Sequence, residues 1–263
     1  MRGSSPFRAG IVALSLCSLT APALAGVVDN KGVKALASTA PQNIVIGFTG
    51  GFVRRDNAHH APVQLAQRIR QSAPPGTYVQ MFENRRRKRA RKTILGLLDV
   101  NHDGVLSAQE KGAARIILYG HSWGAAAAVT LARELGRQGI PVLLTVQVDS
   151  IAKPGQNDSL IPDNVAEAVN FYQTHGMVHG RRKIAAADPA KTAILGNYLL
   201  DYRKDPIRCP QPALWDRVFT PDHMQSECDP QVWSQVERLV RQRLSPETRS
   251  ASAAQSSQPE SSR

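Results

Sequence analysis

Arg115-Ile-Ile-Leu-Tyr119, then Gly120-His121-Ser122-Trp123-Gly124, then Ala125-Ala-Ala-Ala128 is the stretch that decides how the chain is read. The branched apolar run predicts a buried strand, and the alanine-rich segment from Ala125 to Leu135 predicts a helix. The five residues between them fit G-x-S-x-G, the turn that lifts a serine hydroxyl above a sheet. A serine on so sharp a turn is forced into strained backbone geometry. Glycines flank it because a side chain there would strike the neighbouring strand and helix. The pentapeptide alone is weak evidence. With a strand running in and a helix running out, it marks Ser122 as a nucleophile.

Working outward, Gln42 to Gly47 is a short apolar run that reads as a buried strand. A helix is expected over Val63 to Ser72, stopped by Pro74-Pro75-Gly76, followed by a strand over Thr77 to Phe82. Residues 85–98 read as a helix with Ile94, Leu95, Leu97 and Leu98 at its inner end, and Pro141 to Val148 as a fourth strand. This strict alternation predicts an α/β sheet with right-handed crossovers. Val165 to Tyr172 begins like a helix and can end as a strand; residues 176–205 hold short β-like pieces, Ala193 to Tyr202 the clearest. A last helix should start at Asp229-Pro230, with Asp as the cap and Pro at the first helical position. Its apolar face is Val232, Trp233, Val236, Leu239 and Val240. From Ser245 to Arg263 the composition turns to Ser, Gln, Ala and Pro, as in disordered tails.

A serine nucleophile needs a base, and the base needs an orienting acid. In this architecture they follow in the order Ser, acid, His. Asp149 ends the strand Val142 to Val148, at the carboxyl end where catalytic groups gather in parallel sheets, with Asp158 and Asp163 as alternatives on the same loop. Of seven histidines, three follow Asp149: His175, His179 and His223. His223 stands in Thr220-Pro-Asp-His-Met224, a loop just before the last helix, and is the expected base. The oxyanion hole should use the N–H of Trp123 and a donor from Gly47-Phe48-Thr49-Gly50-Gly51, with Phe48 as the residue named.

These motifs together resemble the α/β-hydrolase superfamily, its lipase- and esterase-like branch, over roughly residues 42–243. The resemblance implies a mostly parallel sheet flanked by helices. It also implies hydrolysis of carboxylic esters or thioesters by Ser122, Asp149 and His223 through an acyl-enzyme. The acid follows the strand directly after the nucleophile helix, where many members place it one strand later. No lid-like apolar helix stands out, which argues against a long-chain lipase.

Asp99-Val-Asn-His-Asp-Gly-Val-Leu-Ser-Ala-Gln-Glu110 matches the EF-hand calcium loop. Asp99, Asn101 and Asp103 fill positions 1, 3 and 5, Gly104 makes the sharp turn, Val105 offers its carbonyl, Ser107 acts through water and Glu110 is the bidentate ligand. Only the entering helix is long enough for a hand, and no second loop is present, so the expectation is a structural Ca²⁺ site rather than a sensor.

The chain has 263 residues and a formal net charge of +12, with 42% hydrophobic and 21% charged residues, which excludes fibrous and wholly disordered classes. Residues 1–25 read as a secretory signal: Arg2 and Arg8, the apolar stretch Ile11 to Leu19, and Ala23-Leu24-Ala25 as the cleavage site. Cys17 would leave with it. Cys209 and Cys228 would then form a disulfide in an oxidising compartment, secreted or periplasmic. Arg85 to Lys92 carries seven cations in eight residues. Without interleaved aromatics it does not suit specific nucleic-acid reading. It is either a solvated helix face or a surface for anionic partners. Two functions follow: a serine esterase acting on small-molecule or lipid esters, or a catalytically silent module of the same fold that binds anionic surfaces.

Overall fold

A computed structural model describes residues 41–209 and 221–244. The proposed signal at 1–25 and the tail from Ser245 lie outside the described residues. Six strands form one sheet: β1 (Asn43–Thr49), β2 (Thr77–Glu83), β3 (Arg115–His121), β4 (Val142–Val148), β6 (Val165–Tyr172) and β8 (Ala193–Leu199). Their order is β2-β1-β3-β4-β6-β8, and every neighbouring pair is parallel. A separate two-residue pair joins β5 (Leu160–Ile161) to β7 (Ala185–Ala186). The register sets Phe48 against Gly120, His121 against Val148, and Val148 against Phe171. The carboxyl ends of the central strands therefore finish level, and the loops that follow them meet at one edge.

The helices α1 (Ala61–Ser72), α2 (Arg87–Leu98), α4 (Trp123–Gly136) and α6 (Pro230–Leu244) divide between the two faces, α5 (Pro221–Cys228) sits at that edge, and α3 (Ala108–Lys111) leads into the start of β3. Strand alternation explains the division. Ile44, Ile46 and Phe48 of β1 share a core with Ile94 and Leu98 of α2 and Ala128 and Leu131 of α4. Val45 on the opposite face packs with Leu65 and Ile69 of α1 and with Trp233, Val236 and Val240 of α6. The run of alanines lets α4 lie close against the sheet. Asp229 caps α6, its Oδ1 accepting the N–H groups of Gln231 (2.8 Å) and Val232 (3.3 Å).

Two expectations are corrected. Val165 to Tyr172 is strand throughout, not helix at its start. It lies between β4 and β8 and is covered on both faces, and a strand in that position has no clean alternation to read. His223 lies on a helix, α5, rather than in a loop; Pro221 opens that helix, where a missing N–H costs nothing. The short helix α3 after the EF-hand-like loop agrees with an exit helix cut short by β3. Among the described residues no helix is long and apolar enough to cross a membrane.

Candidate active site

Ser122 has φ 56° and ψ −129°, between the end of β3 and the start of α4. The glycines around it are steric requirements. A Cβ on Gly120 would lie 2.5 Å from the carbonyl carbon of Gly124, and one on Gly124 would lie 2.5 Å from the Phe48 oxygen. The Ser122 N–H donates to the Val148 carbonyl at 3.0 Å, tying the turn to the neighbouring strand.

The hydroxyl of Ser122 lies 3.0 Å from Nε2 of His223, and Nδ1–H of His223 donates to Oδ2 of Asp149 at 2.6 Å. A carboxylate only accepts, so the proton sits on Nδ1 and leaves Nε2 free to accept from the serine. Asp149 is fully buried, and with φ 43° it is strained like Ser122. Its Oδ2 also accepts from Gln173 Nε2 (2.9 Å); its Oδ1 accepts from the N–H groups of Gly180 (2.6 Å) and Gln173 (3.4 Å). A Cβ on Gly180 would stand 2.4 Å from Asp149 Oδ1. Sequence reasoning did not find Gln173 or Gly180, because neither carries a motif.

The alternatives fall elsewhere. Asp158 is buried but is held by Ser150 Oγ (2.6 Å) and Arg181 Nε (2.9 Å). Asp163 is bonded to Lys191. His175 pairs with Asp201 at 3.9 Å, and His179 sits beside the Gly180 carbonyl.

A second polar group lies behind the base. His121 stacks on His223 with ring centroids 4.6 Å apart, and its Nε2 reaches the His223 carbonyl (3.3 Å) and Ser226 Oγ (3.2 Å). Its Nδ1 lies 3.9 Å from Glu227 Oε1, which accepts from His60 Nδ1–H at 2.7 Å. Burial, reinforced by the nearby His223, pushes His121 down to about 4. Burial alone would raise the Glu227 carboxyl, but the His60 hydrogen bond and the nearby His121 bring it below its ordinary value. The helix that carries the base is fixed further by the Cys209–Cys228 disulfide, with Cα atoms 5.6 Å apart, and by the Trp233 indole N–H donating to Ser226 O at 3.2 Å.

Trp123 opens α4, so its N–H has no carbonyl one turn back within the helix. Phe48 is corrected as the second donor. It lies inside β1 between β2 and β3 with a fully buried side chain. In that loop Gly50 lies against the nucleophile turn: its Cβ position would stand 3.1 Å from Ser122 Cβ. Asn84 holds the loop from below, its Nδ2 donating to the carbonyls of Gly51 (2.5 Å) and Thr49 (3.3 Å).

The candidate ligands of the EF-hand-like loop are engaged in local hydrogen bonds. Gly104 has φ 80°, as the pattern requires, and its N–H donates to Asp99 Oδ2 (3.1 Å); Asp99 Oδ1 is buried without a partner. Glu110 instead caps α3, accepting from the Ser107 N–H (2.9 Å) and hydroxyl (2.8 Å) and from the Val100 N–H (3.1 Å). Asn101 Nδ2 donates to Asp103 (2.8 Å). Among the described residues no group of three or more His, Cys, Asp or Glu side chains is placed to hold a metal ion.

The architecture is that of the α/β-hydrolase fold: a parallel sheet, a serine on the turn after a central strand, and acid and histidine behind it. No family model matches the chain, and no curated protein matches it. Similar solved structures include an iodinated complex of acetyl xylan esterase (12% identity, 79% of this chain, 100% of that one, TM-score 0.39). Others are RedJ with a PEG molecule bound in the active site (11%, 72% and 91%, 0.37) and a novel cutinase-like protein from Cryptococcus sp. (14%, 79% and 97%, 0.39). Likeness at this level carries no argument about chemistry, which rests on the geometry of Ser122, His223 and Asp149.

Proposed function

We propose that the chain is a serine hydrolase that cleaves carboxylic esters or thioesters. The continuous contact from Ser122 Oγ to His223 to Asp149 carries this reading. The Ser122 oxygen attacks the carbonyl carbon while its proton passes to His223 Nε2. Asp149 holds the imidazole in the tautomer that can accept it and stabilises the imidazolium. The oxyanion takes hydrogen bonds from the N–H groups of Trp123 and Gly50, each contributing about 3 kcal/mol in the transition state. His223 then protonates the leaving oxygen or sulfur. Water, deprotonated by the same nitrogen, releases the acid and restores the serine.

A fluorophosphonate probe tests this. The folded protein should be labelled and Ser122→Ala should not. Absence of label on folded wild-type protein would overturn the proposal and favour the silent, anion-binding module.

Two further proposals accompany it. The leader at 1–25 together with the Cys209–Cys228 disulfide supports secretion or a periplasmic location. The loop at 99–110 is proposed to bind Ca²⁺ as a structural ion, supported by its sequence pattern, the Gly104 turn and the unpartnered Asp99 oxygen. Binding would require Glu110 to give up capping bonds. The triad contains none of these residues, so calcium has no part in the chemical step.

A further inference from the structure

Lys153 lies on the loop that Asp149 opens. From there it reaches across the start of α4 to the far side of the nucleophile. Its ammonium stands 4.5 Å from the centre of the Trp123 ring and donates to Asn84 Oδ1 at 2.7 Å. Trp123 directly follows Ser122, and Asn84 is the residue that holds the oxyanion loop. The lysine is thus connected to both sides of the reacting centre. On the outer side Phe52 meets Trp123 edge-on, with centroids 5.7 Å apart, and is 81% exposed.

Partial burial lowers the affinity of Lys153 for a proton, and Arg87 and Arg85 lower it further. Arg87 is neutralised by Glu134 at 3.0 Å, but among the described residues neither Lys153 nor Arg85 has a carboxylate partner. An ammonium has three donors, and only one is used here. A cation drawn partly out of water among other cations is unfavourable unless an anion joins it. The start of α4 adds the positive end of a helix at the same place.

Resting on the hydrolase reading above, we propose that Lys153, over the Trp123 ring, together with the exposed Arg85 that follows Asn84 in the chain, forms a subsite for an anionic group on the ester substrate. The substrate class is a small ester carrying a carboxylate or similar anion on its acyl or its alcohol side. The ammonium and guanidinium bind that anion, and the ester carbonyl is thereby brought over Ser122. The seven-cation run begins at Arg85, so it supplies the outermost part of this site as well as a basic helix face.

Matched substrates test the proposal. On the acyl side, the mono-p-nitrophenyl ester of adipic acid is compared with its methylated, neutral form. On the alcohol side, 4-acetoxybenzoate is compared with its methyl ester. After subtraction of uncatalysed rates, the charged member of at least one pair should show a kcat/KM about tenfold higher at low salt, as a charge-assisted contact gives. The preference should fall to about one in Lys153→Met and survive in Lys153→Arg. Arg85→Gln, an exposed change that leaves the core untouched, should reduce it in part. A ratio at or below one in both pairs, or an unchanged ratio in Lys153→Met, overturns the subsite while leaving the esterase standing. If no ester is turned over, the hydrolase reading itself fails. Calorimetry of the adipate ester on Ser122→Ala then decides the subsite: binding abolished by adding Lys153→Met supports it, and no binding refutes it.

Discussion

The imidazole of His121 lies 4.6 Å from that of His223, centroid to centroid, with the planes tilted by 30°. The residue before Ser122 therefore supports the ring proposed to deprotonate it. A charged His121 would repel the imidazolium formed during turnover, so the support works only while His121 is neutral. Burial ensures this, and Nε2–H is used on the His223 carbonyl and Ser226 Oγ.

This arrangement makes stability depend on pH in a defined sense. His121 titrates at about 4 in the folded chain against an ordinary value of 6.5. Between those limits the unfolded chain binds a proton that the folded chain refuses. Its contribution is complete above pH 6.5 and is lost as the pH falls toward 4, amounting to about 3 kcal/mol at most. The melting temperature should fall steadily across that interval, and less steeply in His121→Gln. Equal slopes in the two proteins would show that His121 is not the group responsible.

Gly180 presses on the acid. Its N–H donates to Asp149 Oδ1 at 2.6 Å, and a Cβ would stand 2.4 Å from the same oxygen. A Cβ there would also stand 2.7 Å from the Asp149 carbonyl carbon and 2.8 Å from its Cα, so Gly180→Ala should lower the melting temperature as well as move the carboxylate, lowering kcat on an activated ester by about 10²-fold, as misplacement by about 1 Å does. Asp149→Asn, which reverses the tautomer preference of the histidine, should cost about 10⁴-fold. A Gly180→Ala enzyme of normal rate would show that Asp149 tolerates displacement.

The order of strands and helices and the Ser122 turn were legible because each rests on local signals: apolar runs, breakers and small residues at fixed offsets. That Asp149 and His223 lie in line with Ser122 was legible through their position in the chain order. Asn84, Gln173, Gly180 and Glu227 were not. Each acts on a residue far away in sequence, Gln173 and Gly180 on Asp149 and Asn84 on Gly51, and only the sheet order brings them together. Phe48 was misread for a related reason. The strand continues two residues past Gly47 because pairing on both sides, with β2 and β3, outweighs the glycine, and this leaves Gly50 against the nucleophile turn.

The Cys209–Cys228 disulfide joins the end of α5, the helix of the base, to residue 209 across a sequence separation of 19. Cross-linking a loop of that length removes unfolded-state freedom worth about 3 kcal/mol. It also restrains the helix that aims His223. Reduction, or Cys209→Ser with Cys228→Ser, should lower the melting temperature and reduce kcat more than KM is raised. Peptide mapping of unreduced protein should recover the linked pair. Unchanged turnover in the double variant would confine the disulfide to stability.

At the proposed Ca²⁺ site, the ion and the α3 cap would compete for one carboxylate. Glu110 has its oxygens on Ser107 and Val100, while Asp99 Oδ1 is buried without a partner. Binding Ca²⁺ exchanges those neutral hydrogen bonds for an ion that also offsets the repulsion among Asp99, Asp103 and Glu110. Because the unfolded chain does not hold the three together, the ion stabilises the folded state by about 2.7 kcal/mol at a concentration 100 times its dissociation constant. Millimolar Ca²⁺ should therefore raise the melting temperature by about 2–4 °C for a domain of this size. Glu110→Gln and Asp99→Asn should each weaken the response, while Glu110→Gln also weakens the cap and so starts from a lower melting temperature without metal. Ester turnover in chelator should fall only modestly, since no triad residue lies in the loop. Identical melting curves in chelator and in millimolar Ca²⁺ would assign Glu110 to capping α3 alone.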